Sequence, residues 1–447
     1  MPLSPAFTAD TFKVRRAEVV RRMRELSPGP SVAVFPATPV ATRNHDVEHP
    51  YRAESDLFWL TGFEEPEAVA VLSTDGNPLT LFVRPRDRER EIWNGRRAGV
   101  EGAKTVFGAD QAFTIDELDK ELPGLVGAAK TLYYRLGSVD AAFDARIGRL
   151  LQGLRMRGRS GAGAPLRIED PGQIVHELRL HKSADELRAM RKAVELTRKA
   201  HVAAMAAGRP GTHEYELQAL LEREFRGGGG RGWGYYPIVA AGANATVLHY
   251  NDNADPIRDG DLVLIDAGAE VDLYTADVTR TFPASGRFSP IQREAYSLVL
   301  AAADEAMAVV RPGETLDGLH ERAVRVLTRG MVKLGLLPGD GDVDQLIKEG
   351  AFRHYYMHRT SHWLGLDVHD AGSYRGSNGD PRRLEPGMVF TIEPGLYVAA
   401  DDDKAPAELR GLGIRIEDDI LVTESGYENL TAAVPRNVAD VEAACRR

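Results

Sequence analysis

The chain has 447 residues, 43% of them hydrophobic and 27% charged, the balance of a folded, water-soluble protein with more than one core. A net charge of −10 disfavours nucleic acid and anionic membrane surfaces as partners. The single cysteine, Cys445, excludes disulfides and thiolate metal sites within one chain.

Residues 1–10 show no basic stretch followed by an apolar one. The apolar run at 298–310 is short and carries Asp304 and Glu305. A cytoplasmic location with no membrane partner is therefore expected. An amphipathic helix is predicted over 10–26, with Phe12, Val20 and Met23 set among arginines. Strand-like runs at 31–35, 68–72, 79–83 and 131–136 alternate with helical patterns at 115–126 and 139–156, which reads as an α/β domain. Residues 159–172 are rich in Gly and Pro without periodicity, and are expected to be a linker dividing domains 1–172 and 173–447.

The second half opens with a capping box, Ser183 and Glu186, before Leu187, Met190, Val194, Thr197, His201 and Met205 at helical spacing. Gly208 and Pro210 stop that helix, and His201 on its apolar stripe is expected to be a core histidine. A second helix is predicted over 214–225. The glycines that follow at 227–230 lack the Gly-Lys-Ser/Thr ending of a P-loop and read as a connector. A third helix begins at Ser289-Pro290 and runs to about 310, and a fourth covers 316–336.

This pattern repeats. Arg209-Pro210-Gly211-Thr212 precedes the second helix and Arg311-Pro312-Gly313-Glu314-Thr315 the fourth. Downstream, GDLVLIDAG at 260–268 matches GMVFTIEPG at 387–395, placing Asp266 and Glu393 at the ends of equivalent apolar runs. Two related halves packed about a pseudo-two-fold axis would bring these acids together. Each half offers a second acid. Asp277 opens the strand-like run 277–282, and in GIRIEDDILVT at 413–423 strand alternation sets Arg415 and Glu417 on one face, Ile414 and Ile416 on the other. Asp418 and Asp419 are expected to turn to solvent.

Asp266, Asp277, Glu393 and Glu417 thus form a constellation with one or more of His354, His358, His362 and His369. Four crowded carboxylates cannot all ionise without compensation. Two divalent cations would neutralise them, and oxygen-dominated ligation with one imidazole favours Mn²⁺, with Mg²⁺, Co²⁺, Fe²⁺ or Zn²⁺ as alternatives. A water shared by two such ions becomes a hydroxide nucleophile at neutral pH, the chemistry of metal-assisted hydrolysis.

At these residues the chain resembles the pita-bread metallopeptidases, in their aminopeptidase P (Xaa-Pro aminopeptidase) branch. The resemblance is carried by LHY at 248–250, residues 261–268 and 276–283, SHWLGLDVHD at 361–370, and residues 384–397 and 411–420. N-terminal stretches agree too: Tyr51-Arg52, residues 55–58, TGFEEPEA at 61–68, Glu91-Ile-Trp93 and Gly95-Arg-Arg97. It implies an α+β chain, an N-terminal α/β domain followed by a duplicated pita-bread catalytic domain. It further implies that Asp266, Asp277, His362, Glu393 and Glu417 hold two metals, with Asp277 and Glu417 bridging. His249 would stabilise the oxyanion, His369 would stand near the substrate, and His358 would line the proline-side pocket. Glu393 would also serve as base, and Arg415 would orient the carboxylates.

The implied reaction is release of the N-terminal residue from peptides with proline in second position, by attack of a metal-bridging hydroxide. A homo-oligomer, dimer or tetramer, is expected from the same resemblance. Trp93 is a candidate subunit contact near the substrate and equally a core or interface tryptophan. His45, His49, His176, His181 and His213 carry no motif and are expected to be surface or structural. The chain departs from the pattern at Arg359-Thr360, where smaller or more apolar residues are familiar, and in a longer loop at 227–234. The nearest alternative is a prolidase, which shares fold and ligands. A creatinase-like hydrolase, a methionine aminopeptidase and a non-catalytic peptide-binding module stand further off.

Overall fold

The computed structural model describes residues 4, 6–137, 140–157, 163–339, 342–376 and 378–446. It divides into two compact units, Met1–Leu178 and Arg179–Arg447.

The N-terminal unit is built on a six-stranded mixed sheet in the order Gln111–Thr114, Leu79–Val83, Val69–Ser73, Ser31–Pro36, Thr131–Tyr133, Arg167–Glu169. The three central strands pair antiparallel, as a meander of β-branched and aromatic residues; the outer ones add parallel. Helices Leu118–Gly127 and Ala141–Met156 bury Leu122, Val126, Ile147 and Leu151 in one cluster with Val32, Val71 and Phe82 of the sheet. The predicted helix at 10–26 is Ala9–Leu26, opened by a Thr8–Thr11 capping box. The expected linker proves to be structured in part. Its residues 159–162 lie outside the described residues, but Arg167–Glu169 pairs with Thr131–Tyr133 as an edge strand, and the unit extends to Leu178. A three-residue strand exposed throughout carries no burial alternation that a sequence could betray.

In the C-terminal unit the repeat is visible in the backbone. Helices Ala184–Ala207 and Glu214–Gly227 form one pair, Pro290–Met307 and Leu316–Lys333 the other. Gly211 and Gly313 both adopt left-handed φ, +93° and +90°, which a side chain would strain. Each donates its N–H to the loop leading to its own half's acid-bearing strand, Gly211 to the Ile257 carbonyl and Gly313 to that of Leu384, both at 2.9 Å. Strand Leu262–Asp266 lies between Ile238–Ala241 and Thr279–Pro283; its counterpart Val389–Ile392 pairs with Asp418–Val422. His201 is buried and meets the Ala267 carbonyl at 3.0 Å, as expected of a core histidine. Among the described residues no helix is long and apolar enough to cross a membrane.

Candidate metal centre

Asp266 closes its strand and pairs in register with Thr279, two residues beyond Asp277. Glu393 follows Ile392, which pairs with Asp418, the neighbour of Glu417. In each half, an acid ending one strand therefore faces an acid just before its antiparallel partner. Gly268 permits the first corner: a Cβ there would stand 1.8 Å from the Ala276 carbonyl oxygen. The corners are stitched together. The Glu417 N–H donates to the Thr279 carbonyl at 3.1 Å, and the Thr279 hydroxyl to Glu417 Oε2 at 2.7 Å.

His362 joins them because its segment runs beside strand Val389–Ile392. Thr391 N–H donates to the His362 carbonyl at 3.0 Å, and Glu393 N–H to that of Thr360 at 2.8 Å. The His362 Nδ1 lies 3.1 Å from the Trp363 carbonyl, which assigns the proton to Nδ1 and turns Nε2 toward the acids. Nε2 stands 3.3 Å from Asp277 Oδ2, 3.5 Å from Glu393 Oε1 and 4.0 Å from Glu417 Oε1. Donor atoms of Asp277, His362 and Glu417 all lie within 4.8 Å of one another, a group that can hold a metal ion.

The electrostatics fit a cation. Burial, then the charges of Asp277 and Glu393, push Glu417 well above the usual carboxylate range. Burial likewise raises Asp277, and lifts Glu393 to about 7 against the pull of His362 and Arg415. Burial would depress His362, but its hydrogen bond to Asp277 and the charges of Glu393 and Asp277 hold it up at about 9. The cluster carries more negative charge than its surroundings balance, and its oxygen-rich donor set suits hard or borderline divalent ions.

Asp266, Asp277, Glu393 and Glu417 were reachable from the sequence as acids on or at the ends of strand-like runs, whereas His362 was singled out from its cluster by the resemblance alone; all five line one cavity of about 870 Å³. His249, His358 and His369 line it as well. The His369 ring stands 4.4 Å from that of His362, nearly perpendicular, and burial followed by the His362 charge lowers its pKa. Its loop is pinned by the next residue, Asp370, which is buried and accepts from Arg179 at 2.5 Å and Lys182 at 2.9 Å. His358 Nδ1 meets the Arg359 carbonyl at 2.8 Å, so its Nε2 accepts from the Tyr397 hydroxyl at 2.9 Å. Burial, then the Arg415 charge, pulls His358 down to about 4. Arg415 continues that chain, donating to the Tyr397 hydroxyl at 3.0 Å and to Asp266 Oδ2 at 2.6 Å. His354 lies exposed beside Asp402. Trp93 is on helix Arg88–Asn94 of the N-terminal unit and is 86% exposed, which excludes a core position within that unit.

Two features were not foreseen. Tyr235 sets its hydroxyl 2.6 Å from Asp266 Oδ1 and 2.5 Å from Asp277 Oδ1, linking both acids of one corner. Tyr397 links His358 to Arg415. Both are plain aromatics in the sequence, and no local signal marks them. The expectation that Asp418 and Asp419 face solvent is wrong: both are fully buried. Asp418 pairs with Arg280 at 2.7 Å and accepts from the Thr431 hydroxyl, while Asp419 accepts the Asp277 N–H at 3.2 Å. Long-range partners, invisible to local alternation, compensate their burial.

Paired strand-end carboxylates with one imidazole, set in a cavity, define a hydrolytic metal centre as the class of site. Comparison with known proteins narrows this. Residues 188–424 match metallopeptidase family M24, and residues 12–133 match the aminopeptidase P N-terminal domain. The chain is 45% identical to Xaa-Pro aminopeptidase of Escherichia coli over 97% of its own length and 96% of that protein's. It is 40% identical to the Haemophilus influenzae Xaa-Pro aminopeptidase over the same shares of each chain. The solved structure of Pseudomonas aeruginosa aminopeptidase PepP superposes with a TM-score of 0.94 at 48% identity, covering 98% of both chains. The chain belongs to metallopeptidase family M24, with the pita-bread catalytic fold behind an aminopeptidase P-type N-terminal domain.

Proposed function

We propose that the chain removes the N-terminal residue from peptides whose second residue is proline. The observation that carries this reading is the convergence of Asp266, Asp277, His362, Glu393 and Glu417 on one cavity, in a chain similar over nearly its full length to Xaa-Pro aminopeptidases. These five residues would hold two divalent cations, Mn²⁺ first, through an oxygen-rich donor set with one imidazole, with Asp277 and Glu417 as the shared ligands. Such cations, when bound, would supply an acidified water and Lewis-acid polarisation of the scissile carbonyl.

The chain's own groups do the rest. Glu393 takes the proton of the attacking water. His249, lining the cavity, donates to the developing oxyanion, and His369 stands beside the reacting groups. His358 is held neutral and oriented by Tyr397, forming an apolar-edged wall for a proline ring, whose fixed φ and tertiary amide only a shaped pocket accommodates. Arg415 and Tyr235 hold Asp266 and Asp277 in place.

The enzyme is cytoplasmic and works as a homo-oligomer of two or four copies, with the exposed Trp93 at a subunit contact. Hydrolysis of Ala-Pro-Ala against the dipeptide Ala-Pro and against Ala-Ala-Ala tests the reading. Cleavage of the first alone, at the Ala-Pro bond, is expected. Cleavage of the dipeptide alone would make the enzyme a prolidase.

A further inference from the structure

The cavity has a charged wall that the metal centre does not explain. Asp317, in the first turn of helix Leu316–Lys333, lines the cavity together with Arg359, Arg375 and Arg382. Its two oxygens are shared between two guanidinium groups: Oδ1 takes Arg359 Nη2 and Oδ2 takes Arg375 Nη2 at 3.2 Å. One nitrogen of each arginine is engaged this way, and both side chains stay more than half exposed, 60% for Arg359 and 55% for Arg375. Each guanidinium has five N–H donors, so the pairing leaves most of the fork unused. The two guanidiniums of Arg359 and Arg375 share the single carboxylate of Asp317, which leaves this pairing net positive in a chain whose net charge is −10.

A stability role accounts poorly for this arrangement. Exposed ion pairs contribute little, and a second arginine on an already neutralised carboxylate contributes less. What the wall offers is a ready-made anion receptor, with Asp317 holding the two forks in place. Arg359 directly follows His358, the residue assigned above to the proline side of the cavity.

We infer that Asp317, Arg359 and Arg375 form a specificity site for a carboxylate on the residue that follows proline in the substrate. The inference rests on the proposed Xaa-Pro cleavage. Two carboxylates can occupy the site: an Asp or Glu side chain, or the free C-terminus of a tripeptide. Asp317 sets the strength of the site by competing with the substrate for the same donors.

The test compares kcat/KM on the Mn²⁺-loaded protein for Ala-Pro-Glu-Ala-amide and Ala-Pro-Gln-Ala-amide, and separately for Ala-Pro-Ala with a free or amidated C-terminus. At low ionic strength the acidic member of at least one pair is expected to be preferred about fivefold, the scale of a partly exposed charge pair, and the preference to shrink in salt. Arg359→Gln lowers that ratio toward one, and Asp317→Asn, which frees both forks, raises it. The pair that responds identifies the source of the carboxylate. Ready cleavage of the neutral peptides with both ratios near one, or ratios that Arg359→Gln leaves unchanged, overturns the carboxylate site while leaving the peptidase reading intact. No cleavage of any of the four overturns the peptidase reading itself.

Discussion

Arg415 Nη2 and Asp266 Oδ2 stand 2.6 Å apart with both side chains largely buried. The guanidinium thus reaches a candidate metal ligand from behind, while its other arm holds Tyr397 and, through it, His358. One residue couples the candidate metal centre to His358 across the cavity.

Arg415→Met should therefore damage both functions at once. Losing a partner that orients a ligand costs about 10- to 100-fold in metal affinity or activity. Mn²⁺ calorimetry should show weaker binding, and kcat/KM should fall by a similar factor. Unchanged metal affinity would remove Arg415 from the centre's support.

Asp277→Asn keeps the shape and removes the charge that a bridging ligand needs. Activity should fall at least about a hundredfold, the scale on which losing a central catalytic group is felt. The thermal midpoint should stay close to wild type, because Asp277 is raised by burial and its neutralisation relieves repulsion. Substantial residual turnover would count against bridging.

Tyr235→Phe removes one hydroxyl shared by Asp266 and Asp277. Hydrogen bonds to charged groups contribute about 1.5–3 kcal/mol, so kcat/KM should drop between about 10- and 100-fold. The readout that isolates this role is KM, which should change far less than kcat.

Stability should depend on pH through His201. Burial pulls its pKa from 6.5 down to about 4, so the folded state resists protonation that the unfolded state accepts. Its contribution is fully present above pH 6.5 and is lost as pH falls toward 4, a difference of about 3 kcal/mol over that window. Denaturant midpoints at pH 7 and pH 4.5 measure it. His201→Gln should be less stable at pH 7 and should flatten the slope between the two.

The two halves of the site were readable in the sequence because each is a short-range device. A glycine-bounded apolar run ending in an acid appears twice, and Gly211 and Gly313 keep the loops equivalent. His362 was different. Four histidines within sixteen residues gave no local reason to choose it. Its selection depends on Thr391 pairing with its backbone, and Glu393 with that of Thr360, about thirty residues apart in the chain, and only the family resemblance pointed there. Tyr235, Tyr397, Asp418 and Asp419 stayed hidden for the same reason: their partners come from other strands or loops, up to 142 residues away in the case of Asp419 and Asp277. Alternation along a strand says which face a side chain takes and nothing about what waits there.

The central claim is that five side chains hold two divalent ions and thereby make this chain a peptidase. Titrating the metal-stripped protein with Mn²⁺, while following hydrolysis of Ala-Pro-Ala, tests it most directly. Binding should saturate at two ions per chain, with activity appearing as the sites fill. Fewer than one ion per chain with no hydrolysis at any Mn²⁺ concentration would contradict it, and would leave a peptide-binding module on a peptidase fold.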